Sequence, residues 1–250
     1  MIATIAAREL RSLFLSPLAW SILAVTLFIL AYLFLSQLEA YVGLQPRLAA
    51  LNGAPGVADI VVAPLFADAA VVLLLITPLV TMRVLSEERR NRTISLLFSA
   101  PVSMTEIVVG KYLGVVSFFL ILLGLLSLMP LSLLAGTELD LGKVAAGMLG
   151  LMLVTAAFAA IGVYMSSLTE QPTVAAVTTF GLLLLLWIID WAGNNQMEDS
   201  GLLAYLSMLR HYEPLLKGLF NSVDVVYYLL VIVLFIGFSI RRLDATRLQP

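Results

Sequence analysis

Six long apolar runs, separated by short polar breaks, organise this chain. They cover residues 17–38, 64–84, 107–134, 143–167, 172–192 and 222–241. Each is close to the roughly 20 residues that a helix needs to cross a bilayer. The runs are continuously apolar and do not alternate, which excludes the strand pattern of a membrane barrel. In lipid each segment must satisfy its own backbone hydrogen bonds, so the pattern predicts six transmembrane helices. The fold class is therefore an all-α integral membrane protein, a single domain over residues 1–250.

The polar breaks predict how these helices start, stop and meet. Residues 1–16 read as an amphipathic interfacial helix: Ile2, Ile5, Ala6, Leu10 and Leu13 share one side, Arg8, Arg11 and Ser12 the other, and Glu9 intrudes on the apolar side. Such a helix lies at the headgroups with its arginines outward. Ser16 and Pro17 are an N-cap and first-turn pair that restarts the helix. Gly43, Pro46, Gly53, Pro55 and Gly56 predict a loop over 39–63, and Pro78 predicts a kink in the second span. Ser103 and Glu106 have capping-box spacing. Gly110 and Gly114 form a GxxxG pair, and Gly142, Ala146 and Gly150 form a small-residue stripe, both suited to close helix approach. Pro172 opens the fifth span, and Asn221 or Ser222 can cap the sixth. Residues 193–221 hold apolar stretches too short to cross; they predict two short helices folded onto the outer leaflet over 202–220.

Composition and charge set the environment and the sidedness. Charged residues make up 12% of the chain and hydrophobic ones 61%, against about 25% charged in a soluble domain; the solvent is a bilayer. With both termini on one side, that side holds Arg8, Arg11, Arg83, Arg89, Arg90, Arg92, Lys111, Arg241, Arg242 and Arg247, and the other holds Arg47, Lys143, Arg210 and Lys217. The positive-inside rule then puts both termini and the 86–114 segment in the cytoplasm. The apolar run Leu18–Leu35 is too long for a signal-peptide core, so it reads as an uncleaved first span. The chain has no cysteine, which removes disulfides and fits either side of a bacterial inner membrane.

The segment 86–114 carries the chemistry. Ser86 or a neighbour can cap a helix whose first turn holds Glu87 and Glu88, favourable at the positive end of its dipole. Ile94, Leu97 and Phe98 fall on one face and Pro101 ends the helix, leaving Arg89, Arg92 and Ser99 for solvent or a partner. The plain alternative is a basic loop resting on anionic headgroups. An apolar face with a defined start and stop favours a docking helix over 86–100.

The stretch TMRVLSEERRNRTISLLFSAPVSMTEIVVGKYLG resembles the first cytoplasmic loop of ABC-2 type transporter permeases. The branch with the gliding-motility permeases has the pattern TMR-x-x-x-EERR-x-GT-x-E-L-L-x-x-x-PV, then GK. Thr81, Met82, Arg83, Glu87, Glu88, Arg89, Arg90, Thr93, Leu96, Leu97, Pro101, Val102, Gly110 and Lys111 match it; Arg92 and Ser95 depart from it. Residues 2–20 resemble that family's first helix and span, 161–176 its fourth-to-fifth junction, and 211–224 the short helices before its last span. The resemblance implies a permease core paired with a second copy or a paralogue, with ATPase subunits beneath. It makes 86–100 a coupling helix, with Glu87, Glu88, Arg89, Arg90, Ile94, Leu97 and Phe98 for docking and the N-terminal helix, through Arg8 and Arg11, helping to grip the ATPase.

Other function classes fare worse. Neither Gly110-Lys111 nor Gly142-Lys143 has the other residues of a phosphate-binding Walker loop. The chain is therefore not expected to be an enzyme or to hold a cofactor; ATP and magnesium are expected on the partner ATPase. Glu87, Glu88 and Arg92 fit the EExxxR string of intramembrane proteases, but the one histidine, His211, is expected on the opposite side and reads as a structural interfacial residue. Asp68 and Asp190 sit near outer helix ends, where they either line an outer vestibule or mark the interface as Trp187, Trp191 and Tyr41 do. The expected function is an exporter of an apolar, amphiphilic or polymeric cargo from the inner membrane, with no nucleic-acid partner. The alternatives are a scaffold that transmits force without cargo, and a secondary transporter.

Overall fold

The computed structural model describes residues 1–48, 55–91, 103–137, 139–193 and 205–247. Among them the secondary structure is helical. Helix α1 (Ile2–Leu15) is followed by α2 (Pro17–Leu48), a π-helical turn (Ala58–Val62) that feeds α3 (Ala63–Thr81), and the short α4 (Ser86–Arg90). Then come α5 (Met104–Ser132), α6 (Leu141–Leu168), α7 (Pro172–Gly193), α8 (Met208–Leu216) and α9 (Ser222–Arg247). Six helical stretches, containing α2, α3, α5, α6, α7 and α9, are long and apolar enough to cross a membrane.

Local chemistry accounts for the boundaries. Ser16 is extended, at φ −84° and ψ 131°, and its hydroxyl accepts the Leu18 N–H at 3.3 Å, so the chain breaks where Pro17 starts the next helix. At α5, Ser103 Oγ accepts the Glu106 N–H at 3.2 Å, and Glu106 Oε2 accepts the Ser103 N–H at 3.1 Å; the capping box that the spacing predicts is complete. Asp140 accepts the N–H groups of Gly142 and Lys143, and the Asn221 side chain accepts that of Val223.

The loop expected over 39–63 is helical at both described ends: residues 39–48 extend α2 to Leu48, and Ala58–Val62 form the π-helical turn. One glycine inside a helix costs only about 1 kcal/mol relative to alanine, and Glu39, Ala40, Leu44 and Gln45 all favour helix, so Gly43 does not break it and Pro46 lies within it. At about 1.5 Å per residue α2 is about 48 Å long, well beyond the roughly 30 Å of a bilayer core.

Helix α6 is the hub. Two-thirds of its most apolar window is buried in protein (67%), against 22% for α7 and α9; α2, α7 and α9 turn broad apolar faces outward, where lipid would lie. Close approaches occur at glycines. A Cβ on Gly147 would lie 2.8 Å from the Phe66 ring, and one on Gly150 would lie 2.9 Å from Leu215 Cβ. Of the predicted stripe, Gly150 makes a close approach and Gly142 meets only Asp140 of its own cap; the other close approach is at Gly147, which the stripe does not include. The Gly110/Gly114 pair finds its partner in α1: a Cβ there would lie 2.7 Å from Ile5 Cβ and 2.6 Å from Glu9 Cβ. Residues 5 and 9 rise with 110 and 114, and Phe14 meets Phe118 at 5.7 Å, so α1 runs parallel to the first turns of α5.

Candidate functional site

The turn that leaves α3 is held by a hydroxyl from another helix. Ser166, near the end of α6, donates to the Met82 carbonyl at 3.0 Å and accepts the N–H groups of Leu85 and Ser86, each at 3.1 Å. The Ser86 hydroxyl turns back onto the Met82 carbonyl. Helix α4 therefore begins without a side-chain cap of its own; the expected Ser86 cap is replaced by one supplied from 80 residues away. Leaving a buried N–H unmet costs about 1–3 kcal/mol, so Ser166 fixes the direction in which the chain leaves α3. One turn earlier in α6, Gly162 lies directly against the Thr81 side chain. The segments 81–86 and 161–167, apart in sequence, form one joint.

Helix α4 then divides its charges. Glu88 turns inward: its Oε1 is 2.8 Å from Lys111 Nζ, and the same ammonium is 3.0 Å from Glu9 Oε2. Lys111 is only 5% exposed. Glu9, the odd residue on the apolar side of α1, and Glu88, expected to face a partner, thus share one buried cation. Arg89 is half-buried and lies within electrostatic reach of Arg242 and Glu170. Glu87 and Arg90 border a cleft between α4 and the start of α7, lined also by Arg83, Gln171 and Thr173. A second cleft opens between α1, α2 and the end of α3, with Ser12, Arg83 and Glu87 on its polar side and Leu18, Ile22 and Phe118 on its apolar side.

Other predicted residues fall as follows. Arg8 and Arg11 are exposed on α1, opposite Ile5 and Leu10. Ile94, Leu97 and Phe98 lie outside the described residues, as do Arg92 and Ser95. At the far end of the bundle Asp68 accepts from Gln37 Nε2 at 2.8 Å, tying α3 to α2. Asp190 is in the last turn of α7. The basic residues Arg8, Arg83, Arg89, Arg90 and Arg242 gather around the α4 end; Lys143, Arg210 and Lys217 lie at the other.

That far end has its own polar framework. Lys143 holds both oxygens of Asp59, at 2.7 and 2.9 Å. His211 Nδ1 is 2.7 Å from Asp224 Oδ1 and Nε2 is 3.1 Å from the Tyr205 carbonyl, so both ring nitrogens have an oxygen within hydrogen-bond distance. The imidazole stacks on Tyr227 at 4.0 Å. Tyr212 and Tyr228 donate to the carbonyls of Phe66 and Met208. Of the segment 202–220, the described part contains α8, held by these bonds to α3 and α9 and packed through Leu215 against Gly150 of α6.

Against known families, residues 40–190 match the one described as ABC-2 family transporter protein. That span takes in α3, α4, α5, α6 and most of α7. No curated protein matches the chain.

Proposed function

The chain belongs to the ABC-2 family of transporter proteins, and from that premise we propose that it is the permease subunit of an ATP-driven exporter in a bacterial inner membrane. Six apolar helices make it a multi-pass membrane protein, and family membership implies ATPase partners. In this reading the α4 end faces the cytoplasm with both termini, and a second copy or a paralogue completes the core. The residues 81–111 favour the branch with the gliding-motility permeases. ATP and magnesium are held by the partner subunits.

The observation that carries the reading is the joint between Ser166 and the 82–86 turn. A loop that only rested on headgroups would need no such clamp. Here the docking segment springs from the transmembrane hub itself, so a displacement at 86–100 is delivered to α6 and, through Gly162 and Thr81, to α3. Closure of the ATPase dimer pushes the segment, and the packed helices answer as rigid bodies. Glu87 and Arg90 with the 92–100 stretch form the docking face; Glu88 works from behind it. The cargo is apolar, amphiphilic or polymeric, and Asp68 and Asp190 belong to the outer vestibule.

Leu97→Asp with Phe98→Asp tests the docking face. The double variant is expected to insert normally but to lose co-purification of the ATPase and coupled nucleotide turnover. Retention of both would remove the docking role.

A further inference from the structure

Glu9 and Lys111 are 102 positions apart in sequence, and Glu88 comes from a third element. Each belongs to a different helix: α1, α5 and α4. A lysine ammonium has three N–H donors, and two of them reach carboxylates here. Arg8, one residue along α1, adds a further attraction on Glu88, so the cluster sets two cations against two carboxylates. It sits beside Gly110 and Gly114, the glycines that let α1 lie against α5.

Packing alone does not require this chemistry. Apolar side chains of similar volume would hold the three helices without desolvating charges. What a buried ion cluster adds is a defined position, because it is satisfied only when all three helices bring their groups to one point.

We propose that Lys111 is a positioning residue: its ammonium, shared by Glu9 and Glu88, locks α1 and α4 to α5 so that the three move as one body. The lock stands on the geometry; its purpose, passing a push on the docking segment to α1 and α5 together, rests on the function proposed above. Nothing in the sequence of the docking segment alone points to α1 as part of the moving unit. The three-helix cluster assigns it that place.

The absence of native cysteines allows a direct test in lipid nanodiscs. Spin labels on Arg11→Cys and Arg90→Cys report the distance between α1 and α4. The unaltered cluster is expected to give a single narrow distance. Lys111→Met takes the shared ammonium from two part-buried carboxylates and is expected to abolish that distance or the fold. The deciding variant is therefore Glu9→Gln with Glu88→Gln and Lys111→Met, which removes the shared ammonium and both carboxylates, leaves only the exposed Arg8, and keeps the shapes. It is expected to fold and to lose the narrow distance. A melting temperature that falls while the distance stays narrow would mean that the cluster only packs, and would overturn the proposal. Partner ATPase turnover, measured in the triple variant with Arg11 and Arg90 left intact, separates the two claims. Loss of the fixed distance with unchanged turnover keeps the lock and removes the docking reading it serves; loss of both supports the two together.

Discussion

Replacing His211 by alanine is expected to unfold the outer end of the bundle. The change strips Asp224 of its hydrogen-bonded partner while its side chain stays buried; both side chains are under 10% exposed, at 8% and 7%. Breaking a buried pair from one side costs about 3–5 kcal/mol, a large fraction of the roughly 5–15 kcal/mol that holds a typical domain together. Asp224 Oδ2 already lacks a hydrogen-bond partner among the described residues, so nothing nearby is placed to take over. The loss extends beyond the pair, because His211 also holds the Tyr205 carbonyl and stacks on Tyr227. Thermal unfolding in detergent should show a marked drop in melting temperature for His211→Ala. The double variant His211→Leu with Asp224→Leu should recover much of it, since an apolar pair leaves no buried charge. A single variant as stable as the parent would contradict this account of the outer helices.

At the opposite end the largest effect is expected from Gly162→Leu. Any Cβ at this position runs into the Thr81 side chain, which is itself fully buried and donates to the Thr77 carbonyl at 2.8 Å. Overpacking a close contact costs about 1–3 kcal/mol, and more where neither side can move. Here α3 and α6 cross with backbone on one side and a hydrogen-bonded threonine on the other, so the helices must separate. Separation draws Ser166 away from Leu85 and Ser86, which adds two unmet N–H groups to the strain. Size-exclusion profiles of a fluorescent fusion should show little monodisperse protein for Gly162→Leu. Adding Thr81→Ala should restore part of it by opening space at the crossing. Full recovery of stability without the second change would refute the tight α3–α6 joint.

The sequence predicts what depends on neighbours in the chain. The six spans are visible because an apolar run of about 20 residues has few other uses. The Ser16-Pro17 break and the Ser103/Glu106 box are visible because capping is settled within four residues. The side of α1 that packs is visible from its period. Contacts between distant segments are less so. Nothing near Ser86 says that its N–H will be met by Ser166, and the GxxxG pair at 110 and 114 does not name α1. Two signs did point to the buried cluster. Glu9 stands on the wrong side of an amphipathic helix, and Lys111 stands inside an apolar run beside the paired glycines. A charge out of pattern at each of two sites is what an internal ion pair leaves in a sequence. Reading Lys111 only as one more inner-side cation concealed it. The α2 extension has a different cause: a single glycine such as Gly43 costs only about 1 kcal/mol in a helix, less than its neighbours' helical preference supplies.

In the proposed function the segment beginning at α4 lies in the cytoplasm and meets an ATPase there. Ser95→Cys in the otherwise cysteine-free chain puts a single thiol in the middle of that segment. A membrane-impermeant maleimide should leave it unlabelled in intact cells, label it in inverted vesicles, and label it poorly once the ATPase is bound. Labelling of Ser95→Cys from outside intact cells would contradict the account.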